Sequence, residues 1–306
     1  MRGLSNTTLE LIAFARTLLA EFHPMTLRQL HYAIFSAAQI DYDNTPRDYK
    51  RLGRATTKAR RNYRALELAG VSRQLLTASD LIPPEWIVDE TRLAARVSVW
   101  ADGQSFMDSV QSSYRRDYWQ TQPRYCEVWS EKATVLGSLR PLAAELGVVL
   151  RVCKGYASTG MESQIGEDFE LIDKPIFVFY VGDHDPSGHD IPRDIHRRAQ
   201  QASGKNFPIE RLAIHPEDIR LFHLPPQTIK EKDPRAKGFK GEFGTKAHTV
   251  ELDALPVDEL RQRVRESVEG LIEWDSWNRQ IAVEQVEVSC IADFVDKWKN
   301  LPQTSV

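Results

Sequence analysis

The chain is poor in the features that mark secreted, membrane-spanning and fibrous proteins. It has three cysteines, Cys126, Cys153 and Cys290, far apart and without a Cys-x-x-Cys pair. That argues against a disulfide framework or structural zinc site and leaves them as reduced packing residues. No apolar run approaches the roughly 20 residues of a membrane span. The stretch from Met1 to Asn6 lacks a basic-then-apolar leader, so a cytoplasmic protein with no membrane partner is expected. What is present, 42% apolar and 27% charged residues over 306 positions, suits a globular protein with room for two domains.

A net charge of −3 conceals an asymmetry, because residues 1–75 carry a local +6 and the remainder −9. Such a split suggests a basic head on an acidic body. Residues 7–22 have the apolar spacing of an amphipathic helix, and His23-Pro24-Met25-Thr26 supplies a turn with Thr26 as the next N-cap. A second helix is predicted from about Leu27 to Ala38. A third should start at Pro46, after Asn44-Thr45, and run to Leu68 before Gly70. Arg47, Arg51, Arg54, Lys58 and Arg61 recur on it every three or four residues, which places five cations on one face, with only Asp48 and Glu67 as acids on the helix. The stripe reads as a phosphate-neutralising surface for duplex DNA or as a solvated helix face. Three short helices and an irregular segment, with Trp86-Ile87-Val88 as a wing or linker strand and Val97 to Trp100 as another, suggest a winged-helix-like DNA-binding domain over 1–100. A polar connecting helix is expected over 103–124, within a linker 101–124.

From Tyr125 the pattern alternates. Strands at Tyr125–Trp129, Val148–Cys153, Ile176–Val181 and Ile209–Ile214 are separated by helices at Lys132–Leu146, about Met161–Ile172 and Ile191–Ala202. That order predicts an α/β unit with a Rossmann-like parallel sheet over 125–255. Helices at about 256–272 and 277–298 form a C-terminal extension over 256–306.

The run Phe177 to Ile191 carries the sharpest chemical signal: an apolar strand delivers Asp183 and Asp185 into a Pro/Gly turn. Ligands of open α/β sheets sit beyond the carboxyl ends of strands, and Mg²⁺ is held by one or two carboxylates with phosphate oxygens and water. Paired aspartates are also ordinary turn residues. Glu131, after the first strand of the α/β unit, would reach the same sheet edge; by itself it reads equally as a helix N-terminal acid. His184, His189 and Asp190 flank the pair as weaker candidates, and Lys232, Asp233, Arg235, Lys237 and Lys240 form a charged loop able to touch phosphate. The seven tryptophans read as packing residues.

A glutamate after the first strand and an Asp-x-Asp after a later one resemble the Toprim domain of topoisomerases, primases and some nucleases. Asp183-x-Asp185-Pro186-x-Gly188-x-x-Ile191 is similar to the version in the topoisomerase VI A subunit and the meiotic double-strand-break transesterase. Gly155-Tyr156-Ala157-Ser158 and Val250-Glu251-Leu252-Asp253-Ala254-Leu255 fit two further segments of that family. Arg28 and Tyr32 within Thr26-Leu27-Arg28-Gln29-Leu30-His31-Tyr32 resemble its Arg-x-x-x-Tyr motif. The resemblance implies Glu131, Asp183 and Asp185 as ligands of Mg²⁺ (or Mn²⁺), Glu131 also in an acid/base role, Tyr32 as a nucleophile toward DNA assisted by Arg28, and a homodimer. Helical spacing puts Leu27, Leu30, His31 and Ile34 inward, and Arg28 and Tyr32 on another face, with the phenol available to substrate or at the core boundary. No ATP site is expected in this chain. Gly155 and Gly160 are spaced like a P-loop, but Met161-Glu162 stand where Lys-Ser/Thr is required. ATP-driven strand passage would need a separate ATPase subunit. Two rival readings are a hydrolytic Toprim nuclease, which would not need Tyr32, and a non-catalytic DNA-binding component of a larger complex.

Overall fold

The computed structural model describes residues 5–72, 74–88, 98–153, 159–229 and 233–300. Its first part is helical. α1 (Asn6–Phe22) buries Leu11, Ile12, Ala15 and Leu19 along one stripe, the period of an amphipathic helix. α2 (Leu27–Ala37) begins in a capping box, with Thr26 and Gln29 each satisfying the other's backbone N–H. α3 (Pro46–Leu68) starts as the sequence predicts, at a Thr45 cap followed by proline. Ile87–Val88 is indeed extended, but this strand, β2, pairs in parallel with β1 (Met25–Thr26), so it clamps the entry to α2 and forms no hairpin wing with it. Residues 98–100 are not a strand; Val97 lies outside the described residues.

The expected connecting helix over 103–124 is shorter: α4 (Gly103–Ser113), then a 3-10 turn at Tyr118–Thr121. Beyond it lies a four-stranded, wholly parallel sheet of β3 (Tyr125–Ser130), β4 (Val149–Val152), β5 (Ile176–Val181) and β6 (Ile209–Ala213), in the order β4-β3-β5-β6. α5 (Leu136–Leu146), α6 (Thr159–Glu170) and α7 (Pro186–Ser203) connect the strands. α/β architecture with a parallel sheet is therefore present. The remaining helices are α8 (Pro216–Leu221), α9 (Ala236–Phe243), α10 (Val257–Glu269) and α11 (Trp274–Lys299). Among the described residues no helix is long and apolar enough to cross a membrane.

Strand alternation sends side chains to opposite faces of the sheet. Cys126, Val128, Phe179 and Val181 pack with Leu139 and Leu142 of α5 and Leu260 and Val264 of α10. Trp129, Tyr180, Ile191, Ile195 and Phe207 pack on the other side with Phe169 of α6. The N-terminal helices have their own core around Leu11, Leu19, Leu30 and Leu52, yet the two cores interlock, since Tyr32 lies in the sheet-side core and Val257 in the helical one. The guanidinium of Arg261 on α10 stitches them together by donating to the carbonyls of Phe22, Pro24 and Ser138.

Candidate functional site

The carboxyl edge of the sheet gathers the acids. β5 ends at Val181, Gly182 donates to the Ala213 carbonyl at 2.9 Å, and the chain turns through Asp183, His184 and Asp185 into α7. The helix begins five residues earlier than its apolar periodicity suggests. Asp185 is its N-cap, accepting the Gly188 N–H at 2.6 Å, and Pro186 takes the first helical position. Gly188 is required for close approach: a Cβ there would sit 2.2 Å from the Asp183 carbonyl oxygen and 3.1 Å from Glu131 Oε2. His184 and Val250 exchange backbone hydrogen bonds at 2.9 and 3.0 Å. This bridge lays residues 250–253 across the turn, where the Leu252 N–H donates to Asp183 Oδ1 at 2.7 Å.

Glu131, Asp183 and Asp185 are brought together as neighbours. Glu131 Oε2 accepts from the Asp183 amide at 3.4 Å. Burial, with the charges of Asp183 and Asp185 added, lifts the Glu131 carboxyl to about 7 despite Lys132 beside it. Burial also raises Asp183, against the pull of Lys132. A cavity of about 210 Å³ opens in front of the turn, lined by Asp183, Asp185, Ser187, Gln227, Asp233 and Glu251 among others. A hard, oxygen-ligated cation matches this donor set. The residues thus fit a divalent ion in charge and donor type. Among the described residues, however, no three acidic, histidine or cysteine side chains are already gathered as an ion cage.

Three participants escape sequence reasoning. Lys132 reaches Asp183 Oδ1 at 2.9 Å, Asp253 Oδ2 at 3.0 Å and Glu251 Oε2 at 3.8 Å. Burial disfavours its charge, but Asp253, Asp183 and Glu251 outweigh that and hold the ammonium protonated. Asp253 itself is 1% exposed. Arg211, a cation inside β6, donates to the carbonyls of Gly182, Asp183, Gly188 and Ala213, so it ties down both sides of the acidic turn. Its only signal in sequence is an arginine among the apolar residues of a strand; Lys132 and Asp253 are visible only as neighbours of motif residues.

Tyr32 corrects an expectation. Helical spacing leaves its phenol available at or near the surface, whereas the residue is 3% exposed and belongs to the sheet-side core. Its hydroxyl donates to Glu251 Oε2 at 3.3 Å. Burial and the Glu251 charge raise its pKa, with Arg28 offsetting only part. Arg28 does not act on the phenol alone, because its guanidinium binds both Glu251 oxygens at 2.5 Å. Burial pulls Glu251 upward, but Lys132 and Arg28 prevail and hold its carboxyl below the usual range. Arg28 and Tyr32 thus meet the acidic edge through Glu251, within one chain.

His184 and His189 pack edge-on or tilted against Phe239 and Phe243, with His184 Nδ1 and His189 Nε2 2.9 Å apart. Burial, with Arg211 adding to it, lowers them to about 4 and about 3. Both are neutral packing residues, and Asp190 pairs outward with Arg193.

The basic stripe is realised on α3. Arg47, Arg51, Arg54 and Lys58 line one groove of about 440 Å³ beside Thr8 of α1, and Arg61 is exposed farther along the helix. Arg51 is partly committed, to Asp48 at 3.1 Å and to the Asp41 carbonyl at 3.1 Å. Asp233 and Arg235 of the charged loop pair with each other at 2.8 Å. Gly155-Tyr156-Ala157-Ser158 and Lys232 lie outside the described residues.

No family model matches the chain, and no curated protein sequence matches it at a significant level.

Proposed function

We propose that this chain is a Toprim-class protein that cleaves DNA at the acidic edge of its sheet with Mg²⁺ or Mn²⁺, the helices of residues 1–100 serving as a winged-helix-like DNA-binding domain. The observation that carries this reading is that Asp183 and Asp185 line an acidic cavity at the carboxyl ends of parallel strands, with Glu131 beside them on the Asp183 amide. The bound ion would supply Lewis acidity toward a phosphodiester oxygen and lower the pKa of water. Asp183 and Asp185 would hold it. Glu131, beside both aspartates and on the Asp183 amide, would take the proton of the attacking nucleophile. The cations of α3 would grip backbone phosphates without reading sequence.

Water is the favoured nucleophile. The Tyr32 phenol is buried, raised in pKa and bound to Glu251, whereas the acidic cavity is open to solvent. Tyrosyl transesterification, as in the topoisomerase VI A subunit, stands as a second reading because Arg28 and Tyr32 share Glu251 with the cavity wall. In that case a homodimer and a separate ATPase subunit would follow from the family resemblance. Labelled duplex incubated with Mn²⁺ separates the two. Hydrolysis leaves free ends and survives Tyr32→Phe; transesterification leaves protein on the DNA and is lost in that variant. No incision under any divalent metal would reject both and favour a DNA-binding component without catalysis.

A further inference from the structure

We infer that Lys132 is the built-in second cation of the acidic edge, so that each chain takes one divalent ion and not two; this rests on the metal reading above. Five carboxylates lie along this edge in two groups that share Asp183: Glu131 and Asp185 beside it, and Glu251 and Asp253 gathered with it on the Lys132 ammonium. Among the described residues three side-chain cations are set among them: Arg28 on Glu251, Lys132 on Asp183 and Asp253, and Arg211 under the turn. Among the described residues, Lys132 pairs with Asp183, Asp253 and Glu251 and makes no ion pair with Glu131 or Asp185. Asp233 on the cavity wall brings its own partner in Arg235.

The geometry divides the cluster in the same way. Lys132 and the Leu252 amide both contact one oxygen of Asp183, Oδ1. Asp253 is buried against the ammonium, and Glu251 is gripped by Arg28. The lysine side of Asp183 is therefore filled, which leaves the side of Asp185, where the cavity opens, for an ion. In a two-metal centre a second ion would clamp the opposite oxygen of the displacement. The ammonium of Lys132, a compact point charge with three donors, fills that place with half the charge and no coordination requirement. Lys132 is in this sense a positioning residue: it keeps Asp183 oriented and leaves a single exchangeable ion.

Metal-stripped full-length protein titrated with Mn²⁺, with free ion followed by electron paramagnetic resonance, tests the assignment. The expected stoichiometry is one for the natural chain and two for Lys132→Met, where Asp183, Glu251 and Asp253 lose their shared ammonium. If Lys132→Met is unfolded without metal, Mn²⁺ should restore its thermal transition to within a few degrees of the natural chain. Two ions in the natural chain, one in both proteins, or a variant that Mn²⁺ fails to refold would overturn the role of Lys132. No ion in the natural chain would overturn the metal reading itself. In that case Asp185→Asn, which should abolish binding if the reading holds, would be indistinguishable from the natural chain.

Discussion

Glu127 and Glu131 stand four residues apart, one inside β3 and one just past its end, and their surroundings are opposite. Glu127 is fully buried and has both oxygens well partnered: Tyr125 Oη donates at 3.0 Å, Trp129 Nε1 at 2.6 Å, and Arg151 donates to both oxygens at 2.9 Å. Arg151 continues to Asp168 at 2.8 Å. Among the described residues, Glu131 accepts one long hydrogen bond, from an amide, and has two aspartates for company. A buried acid with complete partners holds the fold together; a half-buried acid with few partners is what the proposed chemistry requires. The same strand thus carries both kinds, and burial alone does not tell them apart.

Substitutions should separate the two glutamates most clearly. Glu127→Ala is expected to cost about 3–5 kcal/mol, because Arg151 is left buried without its main partner; urea unfolding measures it, with m unchanged. Glu131→Gln should behave in the contrary manner. In the folded metal-free chain Glu131 titrates near 7, above its ordinary 4.5. Between those values the unfolded chain has released the proton and the folded one retains it, so stability falls as pH rises through this window and stays lowered above 7. Against the natural chain, Glu131→Gln should show no difference below pH 4.5 and a gain on the order of 3 kcal/mol above pH 7 in chelator, taking 1.36 kcal/mol per pKa unit. Among the described residues, Asp183, Asp185, Lys132 and Arg211 are the charged groups facing it in both proteins. The neutral His184–His189 pair, depressed below 6.5, loses stability as pH falls. That contribution is common to both proteins and cancels in the difference.

A smaller effect is expected from the opposite end of the molecule, where charges are exposed. Arg54→Ala with Lys58→Ala should weaken duplex binding for all sequences alike and flatten the salt dependence by about 2 in log–log slope, roughly 0.9 for each phosphate no longer neutralised. Fluorescence anisotropy across a salt series reads this. Arg51→Ala should change it less, since that guanidinium already serves Asp48 and Asp41. The smallest change is predicted for Tyr32→Phe, about 1 kcal/mol for one hydrogen bond at 3.3 Å, with incision retained.

Much of the frame was legible because its signals are local. Thr45 and Pro46 mark the start of α3, and the apolar run of β5 ends at the aspartates. The acids of the sheet edge follow from strand ends in the same way. What the sequence hid was set by distant partners. Asp185-Pro186-Ser187-Gly188 reads as a turn, yet the same residues cap and open α7 once Gly188 can pack against the Asp183 carbonyl. Tyr32 looks free on its own helix, and only Glu251, 219 residues later, accounts for its hydroxyl. Lys132 is an inconspicuous neighbour of Glu131 until residues 183, 251 and 253 converge on its ammonium.

The most direct test of the proposal that the incompletely partnered acids are the reaction centre is incision of supercoiled plasmid by the natural chain, Asp185→Asn and Tyr32→Phe, with Mn²⁺ and with chelator. Nicked or linear DNA from the natural chain and Tyr32→Phe, abolished by chelator and by Asp185→Asn, is the predicted result. Incision that persists in Asp185→Asn, or in chelator, would contradict it.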